Sequence, residues 1–445
     1  MTAPQALTDA ARDVELAAYA AEQDAVAGIE HLRFFPLVVE SGHGCTLVTP
    51  AGRELLDFSA SWTASAFGHG NPAIAEAVAA AARRGAGASV LSAAVTETTR
   101  LAQRLVELVP ARRAERAYLG LGGTDANTVA LAAARHATGR AGILSFAGSY
   151  HGGHGPSAAV SGMGVAPGAA AHGHVLEYPV DDAGMRRVAA ALAATLGARE
   201  TAAVIVEAVQ CDGGVRVPAP EFLPTLRRVC DETGTLLIVD EVKAGLGRTG
   251  HLFAFEASGV APDLVTLGKS LGGGLPISAV VGPAAALDAP RASALLTTAG
   301  SPVPVAAAHA VLDLLADGAL ARNAADLEEP ARRILADARE TGRPGAAAIT
   351  EVRGCGLLLG IEFGDTVDAT GVALTGAELA ALTVYRAWEL GCVLYVVRDN
   401  VLEVTPPLAI TEAELAAGLD VILRAADDAV AGDVPRSILD EFGGW

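Results

Sequence analysis

Lysine is almost absent from this chain of 445 residues. Among its 32 basic residues only Lys243 and Lys269 are lysines, so arginine occupies nearly every position where a fixed positive charge suffices. A lysine ammonium can lose its proton and attack a carbonyl carbon, whereas a guanidinium effectively cannot. The two retained lysines therefore point to amine chemistry, with chance retention of either one as the alternative.

Long apolar runs are missing as well. The chain has no stretch of about 18 uninterrupted apolar residues, which a membrane-spanning helix requires. Its N-terminus carries acidic residues early and lacks the basic-then-apolar order of a secretory signal. We therefore expect a cytoplasmic protein with no membrane-spanning segment.

Cysteine and net positive charge are also in short supply. The five cysteines are scattered without the spacing of a metal site, so we expect reduced core residues and no bound metal. The formal net charge of −19 disfavours nucleic acid and anionic membrane surfaces as partners. It favours a cationic small molecule, unless the acidic residues only aid solubility.

The distribution of apolar residues predicts the fold. With 51% hydrophobic residues the chain can bury a large core, and its length favours two domains. Ala-rich helical segments, such as residues 128–137 and 219–232, alternate with β-type runs at 116–122, 142–147, 203–209, 236–242, 263–268 and 277–282. This order predicts an α/β fold with a mostly parallel sheet covered by helices.

The same pattern suggests domain boundaries. We expect an N-terminal arm and part of a smaller domain at residues 1–60, where short strands are predicted. The large domain is expected at residues 61–321. Residues 322–445 combine helices with further strands and are predicted to form the smaller α+β domain.

Two carboxylates end one of the predicted strands. In "LLIVDEVKAGLGRTG", residues 236–250, an apolar run leads into Asp240 and Glu241 and then a glycine-rich turn. A buried carboxylate without a partner costs several kcal/mol or more, so the pattern implies a cationic partner. The alternative is that Asp240 only caps the following turn.

Two glycine-rich segments add to this picture. In "LGGTDANTVALAAARHA", Gly123 and Thr124 precede a helix predicted to begin near Asp125, which favours a bound phosphate unless Thr124 merely caps the helix. In "FAGSYHGGHG", Tyr150 and His151 follow a strand, where an aromatic ring can lie against a planar ligand or simply join the core.

One cofactor explains these features together. A phosphate at a helix start, a stacking aromatic, a carboxylate for a ring cation and a lysine for a Schiff base are what pyridoxal 5′-phosphate (PLP) requires. In this interpretation Asp240 keeps the pyridine nitrogen protonated, and Lys269 bonds to the cofactor aldehyde.

The motifs also resemble a known family. "LLIVDEVKAGLGRTG", "PDLVTLGKSLGGGLPISAVVG", "GGTDAN", "SYHGG" and "VRGCGLLLGIEF" resemble the class III aminotransferases, which are fold type I PLP enzymes with a seven-stranded, mostly parallel sheet. The resemblance covers nearly the whole chain. It implies the following cofactor-binding residues: Lys269 as Schiff-base lysine, Asp240 at the ring nitrogen, Val242 under the ring, Tyr150 and His151 beside it, Gly123 and Thr124 at the phosphate, and Glu207 and Lys243 nearby.

The resemblance further implies a homodimer with shared active sites. Thr297, or Thr298 in the next register, falls where relatives contribute a phosphate contact from the neighbouring subunit. Trp62 lies in a segment that borders the substrate pocket of relatives, although a packing role is equally compatible with the sequence.

Departures from the family pattern carry the information on substrate. Glu403 occupies the position of an arginine that pairs with a glutamate and binds substrate carboxylates, and that glutamate matches Glu207. Asp212 follows in "VEAVQCDGG", and Lys243 replaces a commoner glutamine near the cofactor hydroxyl. The substrate pocket is thus expected to include Glu207, Asp212 and Glu403, unless Glu403 points into solvent.

Several functions remain open. The first is a transaminase acting on a primary amine of a polycationic aminosugar, as in aminoglycoside antibiotic biosynthesis. A racemase or epimerase that uses Lys269 and Asp212 on opposite faces of one carbon, on an amino acid, amino-lactam or aminosugar, is the main alternative. Elimination on an aminosugar and a cofactor-binding protein without turnover are the others.

Overall fold

The computed structural model describes residues 4–163 and 173–442, and the chain folds as two compact units. One unit comprises Met1–Asn71 together with Asn323–Trp445, and the other comprises Pro72–Arg322. We refer to them as the smaller and the larger unit.

The N-terminal part of the smaller unit is more helical than the sequence suggested. It contains helix α1 (Asp9–Ala25) and strands β1 (Ser41–His43), β2 (Thr46–Val48) and β3 (Glu54–Asp57). The Thr8 hydroxyl accepts a hydrogen bond from the Ala11 N–H and so caps α1. The expected arm therefore includes a helix of 17 residues.

The larger unit is built on a seven-stranded sheet. Its strands are β4 (Arg116–Gly120), β5 (Gly142–Phe146), β6 (Gly173–Leu176), β7 (Thr201–Glu207), β8 (Leu236–Asp240), β9 (Leu264–Leu267) and β10 (Ser278–Gly282). Its helices are α2 (Pro72–Arg84), α3 (Thr96–Leu108), α4 (Gly123–Thr138), α5 (Gly155–Ala158), α6 (Asp182–Gly197), α7 (Phe222–Thr233), α8 (Ala284–Leu287) and α9 (Pro302–Leu315).

The strand order is β4-β10-β9-β8-β7-β5-β6. Strand β10 pairs antiparallel with both of its neighbours, and the remaining pairs are parallel. The predicted mostly parallel α/β sheet is thereby confirmed. Strand β6 was missed because its sequence, GHVL, is short and only half apolar.

Small residues let helix α4 lie close to the sheet. Ala126, Ala130 and Ala134 recur every four residues on one face, are fully buried, and belong to one core cluster with Ile205 and Ile238 of the central strands. Close packing there fixes the start of α4 relative to the ends of β7 and β8.

The carboxyl ends of the parallel strands lie along one edge of this sheet. Glu207 ends β7 and Asp240 ends β8, and the two residues are paired in register. Lys269 follows two residues after β9 and begins a short 3₁₀ turn, Lys269–Gly272. In parallel sheets this edge is where ligands bind.

The C-terminal part of the chain completes the smaller unit. Its helices are α10 (Ala319–Glu340), which belongs to this unit from Asn323 onward, α11 (Pro344–Ala347), α12 (Gly376–Leu390) and α13 (Glu412–Ala431). Its strands are β11 (Ile349–Cys355), β12 (Leu358–Phe363), β13 (Thr366–Val367), β14 (Ala373–Leu374), β15 (Cys392–Val393), β16 (Tyr395–Val397) and β17 (Val401–Val404). They form sheets β1-β2-β3-β15, β11-β12-β17-β16 and β13-β14, an α+β arrangement.

Across residues 4–163 and 173–442, no single helix has the length and apolar character needed to cross a membrane; only the bent pair Pro302–Leu315 and Ala319–Glu340, taken together, meets those criteria.

Candidate active site

A cavity of about 190 Å³ lies at the sheet edge of the larger unit. It is lined by ten residues that the sequence singled out, namely Gly123, Thr124, Tyr150, His151, Glu207, Asp212, Asp240, Val242, Lys243 and Lys269, and by two that it did not, Asn127 and Gly152. These residues come from the start of α4, from the last residues of β7 and β8, and from the segments that follow β5, β7, β8 and β9. The fold thus gathers segments more than 100 positions apart in the sequence into one small site.

The start of α4 forms one end of the cavity. Gly122 precedes the helix without any side-chain cap, and a Cβ at Gly123 would lie 2.6 Å from the Val242 Cγ1 atom, so only glycine fits there. The Thr124 hydroxyl accepts the Gly153 N–H at 3.2 Å, and Thr124 is not the helix cap, so that alternative is wrong. The first-turn amides and the glycine make this end suitable for a phosphate.

Asp240 is a second polar element of the cavity wall. Its Oδ2 atom accepts hydrogen bonds from Asn127 Nδ2 at 2.7 Å and from His151 Nδ1 at 2.8 Å. Its Oδ1 atom accepts the Val242 N–H at 3.0 Å. Asp240 therefore caps the following turn, as one interpretation of the sequence held, and it also lines the cavity, while its pairing with a cation stays a prediction. A fixed carboxylate here suits a ligand with a ring cation.

Glu241 departs from the expectation that both strand-end carboxylates need a cation. It is 1% exposed, and its two oxygens accept the N–H groups of Ala254 at 2.8 Å and Phe255 at 3.1 Å. Burial raises the pKa of Glu241 to about 8, although these two donors act in the opposite direction. Backbone amides rather than a cation contact this carboxyl group, which keeps its proton near neutral pH.

Asp212 and Lys243 form a buried ion pair that the sequence did not predict. Lys243 Nζ donates to Asp212 Oδ1 at 2.6 Å, and both side chains are less than a tenth exposed. Burial acts to raise the pKa of Asp212, but the positive charges of Lys243 and Lys269 outweigh it and lower that pKa below its ordinary value. Asp212 is thus held as an anion on the cavity wall.

Glu207 differs from Asp212 although both line the same cavity. Its carboxylate accepts the N–H groups of Tyr150 at 3.3 Å and Cys211 at 3.2 Å. Burial, with repulsion from Asp240 and Asp212, raises the pKa of Glu207 well above its ordinary value. Burial also raises the pKa of the Tyr150 hydroxyl, which remains a neutral phenol. No arginine occurs among the described residues that line the cavity.

Lys269 is held in an unusual backbone conformation. Its φ angle is +42°, which places a residue with a side chain in the left-handed region. A Cβ on the preceding Gly268 would lie 3.2 Å from Val242 Cγ1, so Val242 packs closely against this turn. Backbone strain of about 1–3 kcal/mol persists where the surroundings enforce it, commonly at functional sites.

The remaining predicted residues are not among those that line this cavity. Trp62 and Glu403 belong to the smaller unit: Trp62 stacks on Tyr395 with ring centroids 4.7 Å apart, and Glu403 lies on β17 and is 2% exposed. Glu403 therefore does not point into solvent. Thr297 and Thr298 are both exposed in the larger unit and do not line the cavity.

Asn127 is the main residue that sequence reasoning missed. It lies in the quoted "GGTDAN" motif three positions after Thr124, so helical periodicity places both on one face of α4. That spacing was the available signal. The site residues fit PLP. The start of α4 at Gly123 can bind the phosphate, the fixed carboxylate of Asp240 can pair with the ring nitrogen, and the amine of Lys269 lines the same cavity.

Comparisons with known proteins agree with this fit. The family model for class III aminotransferases matches residues 28–426. The leucine/methionine racemase of Thermococcus litoralis is 33% identical over 93% of this chain and 95% of its own length. The 4-aminobutyrate aminotransferase GabT of Escherichia coli K12 is 32% identical over 88% of this chain and 94% of its own.

A solved structure agrees as well. The amine transaminase from an uncultivated Pseudomonas species, determined with bound PLP, is 29% identical and covers 88% of this chain and 95% of its own, with a TM-score of 0.79. Fold, site and sequence thus lead to the same assignment. The chain belongs to the class III aminotransferase family and is a PLP-dependent enzyme.

Proposed function

We propose that the enzyme inverts the configuration of an amine-bearing carbon in a small substrate, as a racemase or epimerase. The observation that carries this proposal is that the Asp212 carboxylate, held by Lys243 at 2.6 Å, lines the same cavity as Lys269. Inversion requires two proton carriers, one for each face of the carbon. Lys269 and Asp212 are the two candidates for this role.

The chain's own residues have separate tasks in this proposal. When bound, PLP supplies an electron sink for negative charge at the amine-bearing carbon. Asp240 would hold the ring-nitrogen proton, and the α4 N-terminus with Gly123 and Thr124 would bind the phosphate. Asp212, as an anion, accepts the proton from one face while Lys269, as an ammonium, delivers one to the other; the reverse reaction exchanges these roles.

A transaminase acting on an aminosugar amine is the second candidate. It is favoured by the lack of arginine among the described lining residues and by the carboxylates of Glu207 and Asp212. Two observations weaken it. Lys243 balances the charge of Asp212, and the raised pKa of Glu207 reduces its negative charge, so the cavity attracts polycations less than its acid count suggests.

The relatives are compatible with both candidates, because one is a racemase and another an aminotransferase. The decisive experiment incubates the PLP-loaded enzyme with single enantiomers of amino acids, and separately with aminosugars, with and without a keto acid. Our proposal predicts formation of the opposite stereoisomer without any keto acid. Formation of a ketone or aldehyde that depends strictly on the keto acid, while the remaining substrate keeps its configuration, would instead support transamination.

Salt dependence tests the charge argument independently. A substrate ammonium about 6 Å from a carboxylate gains up to about 3 kcal/mol at an effective dielectric constant near 20, and about 1 kcal/mol when water screens the pair. If aminosugars are the substrates, their kcat/KM should exceed that of simple amino acids and decline as salt rises. Turnover of a neutral amino acid that is unaffected by salt would exclude the polycation proposal.

We also propose a cytoplasmic homodimer whose active sites are shared. The exposure of Thr297 and Thr298 leaves both hydroxyls available to a neighbouring subunit. Mixing inactive Lys269→Ala with weakened Thr297→Ala subunits should restore sites whose lysine and threonine are both intact. Purely additive activity of the two variants would contradict sharing through Thr297.

A further inference from the structure

The amide of Asn127 connects three segments of the site. Its Nδ2 atom donates to Asp240 Oδ2 at 2.7 Å and to the backbone carbonyl of His151 at 2.8 Å. Asn127 itself is 1% exposed. Helix α4, the loop after β5 and the end of β8 are therefore joined by one side chain.

The orientation of this amide is determined by its two donated bonds. Asn127 Oδ1 is buried and has no hydrogen-bond partner within the described part of the chain. Rotating the amide by half a turn would place that oxygen against Asp240 Oδ2 and the His151 carbonyl oxygen, which are both hydrogen-bond acceptors. The nitrogen must therefore face Asp240.

A second bond ties the same helix turn to the same loop. Thr124, three positions before Asn127, accepts the Gly153 N–H at 3.2 Å through its hydroxyl. Between the two bonds lies Gly152, whose φ angle is +150° and where a Cβ would come within 2.3 Å of Ser157 Oγ. The segment His151–Gly153 therefore follows the first turns of α4 closely at both ends.

We propose that Asn127 is a positioning residue for the cofactor: it fixes the Asp240 carboxylate relative to the α4 N-terminus, and so couples the ring-nitrogen end of the site to the phosphate end. The inference depends on PLP as cofactor and not on which reaction follows. It acts through Asp240, because Asn127 supplies one of the two side-chain donors to that carboxylate.

Removal of this donor has a defined expected effect. A hydrogen bond to a charged group contributes about 1.5–3 kcal/mol, which corresponds to about 10- to 150-fold in an equilibrium constant. In Asn127→Ala we expect the PLP dissociation constant of the apoenzyme to rise by about this factor. The pH dependence of the absorption spectrum of the bound cofactor should shift as well, because Asp240 stabilises the ring-nitrogen proton.

The test measures PLP binding by quenching of protein fluorescence, which does not require turnover. Asn127→Ala is compared with Asn127→Ser, which keeps one donor and should lose less affinity, and with Thr128→Ala, a control on the same helix that does not line the cavity. Thermal unfolding of each apoenzyme separates misfolding from weakened binding. Asn127→Ser supplies the binding data if the alanine variant fails to fold.

A double-mutant cycle tests whether Asn127 affects PLP binding through Asp240. In an Asp240→Ala background, Asn127→Ala should weaken PLP binding by less than about twofold, since its partner is already gone. Wild-type affinity and spectrum in Asn127→Ala would overturn the proposal. The same full loss of affinity in the Asp240→Ala background would overturn it too, because Asn127 would then act independently of Asp240.

Discussion

Each unit of the molecule contains a buried ion pair, and the two pairs are built differently. In the smaller unit, Arg53 donates to both oxygens of Glu15, at 3.1 Å from Nε and 2.9 Å from Nη2. The Thr49 hydroxyl also donates to Glu15, and Arg53 Nη1 reaches the Trp388 carbonyl at 2.8 Å. In this pair, hydrogen bonds from neighbouring groups add to the ion pair at both charged side chains.

The pair in the larger unit, Lys243 and Asp212, lies beside an open cavity. Lys243 and Asp212 meet at 2.6 Å on the wall of the cavity that Lys269 also lines. Arginine's planar fork suits the fixed, two-pronged pairing of the smaller unit, whereas a lysine is a compact charge whose proton can leave. The comparison teaches that a buried charged side chain stabilises the fold when neighbouring groups occupy all its hydrogen-bonding positions. A buried charged side chain that faces a cavity can instead act on a bound ligand.

The largest predicted effect is on turnover, and it distinguishes the role of Lys269 from that of Lys243. Lys269→Ala should reduce turnover by about 10⁴-fold or more with little change in unfolding temperature, because the other lysine amine of the cavity, that of Lys243, is held in an ion pair by Asp212. Turnover and the yellow colour of the loaded enzyme are the measurements. Wild-type colour and rate in this variant would show that Lys243 or another group holds the cofactor.

The second largest effect is on the free energy of unfolding, and it concerns the buried Glu15–Arg53 pair. Glu15→Gln leaves Arg53 charged and buried without its anion, which typically costs about 3–5 kcal/mol of unfolding free energy. Chemical denaturation measures this loss, while kcat of the folded enzyme should stay near the wild-type value. Glu232→Gln is the control, since the exposed Arg228–Glu232 pair at 2.8 Å should contribute no more than about 0.5 kcal/mol. Equal losses for the two variants would contradict the comparison.

Lys243→Gln should have an intermediate effect on activity. Without the ammonium, burial raises the pKa of Asp212, so the acidic limb of the kcat/KM profile should move to higher pH. We expect kcat to fall by about 10- to 100-fold near neutral pH as the Asp212 anion becomes less abundant. A pH profile identical to wild type would show that Lys243 does not control the charge of Asp212.

The last predicted effect is a dependence of the unfolding free energy on pH that comes from Glu241, and it is the smallest when measured over one pH unit. The folded state keeps a proton on Glu241 up to about pH 8, whereas the unfolded chain loses it near pH 4.5. The free energy of unfolding should therefore fall as pH rises through this window, by at most about 1.4 kcal/mol per pH unit. In Glu241→Gln this contribution should vanish, leaving a constant offset from the lost hydrogen bond. A pH-independent difference between variant and wild type would refute the assignment.

These carboxylates also show what the sequence could reveal. The run of apolar residues before Asp240 predicted a strand and its end, and "GGTDAN" predicted a helix start, since both depend on local patterns. The pairing of Asp212 with Lys243, and the role of backbone amides at Glu241, depend on segments brought together by the fold. No local pattern encodes such contacts, so the sequence named these residues without naming their partners.

The central claim is that Lys269 and Asp212 act on opposite faces of one carbon, and exchange of hydrogen with deuterated water tests it most directly. Single enantiomers are incubated with wild type and with Asp212→Asn in deuterated water, and both configuration and deuterium content are measured. We predict that wild type inverts the substrate and incorporates deuterium, while Asp212→Asn still exchanges one enantiomer with retention but inverts it at least about 100-fold more slowly. Inversion by Asp212→Asn at the wild-type rate, or ketone formation by wild type with no inversion, would contradict the claim.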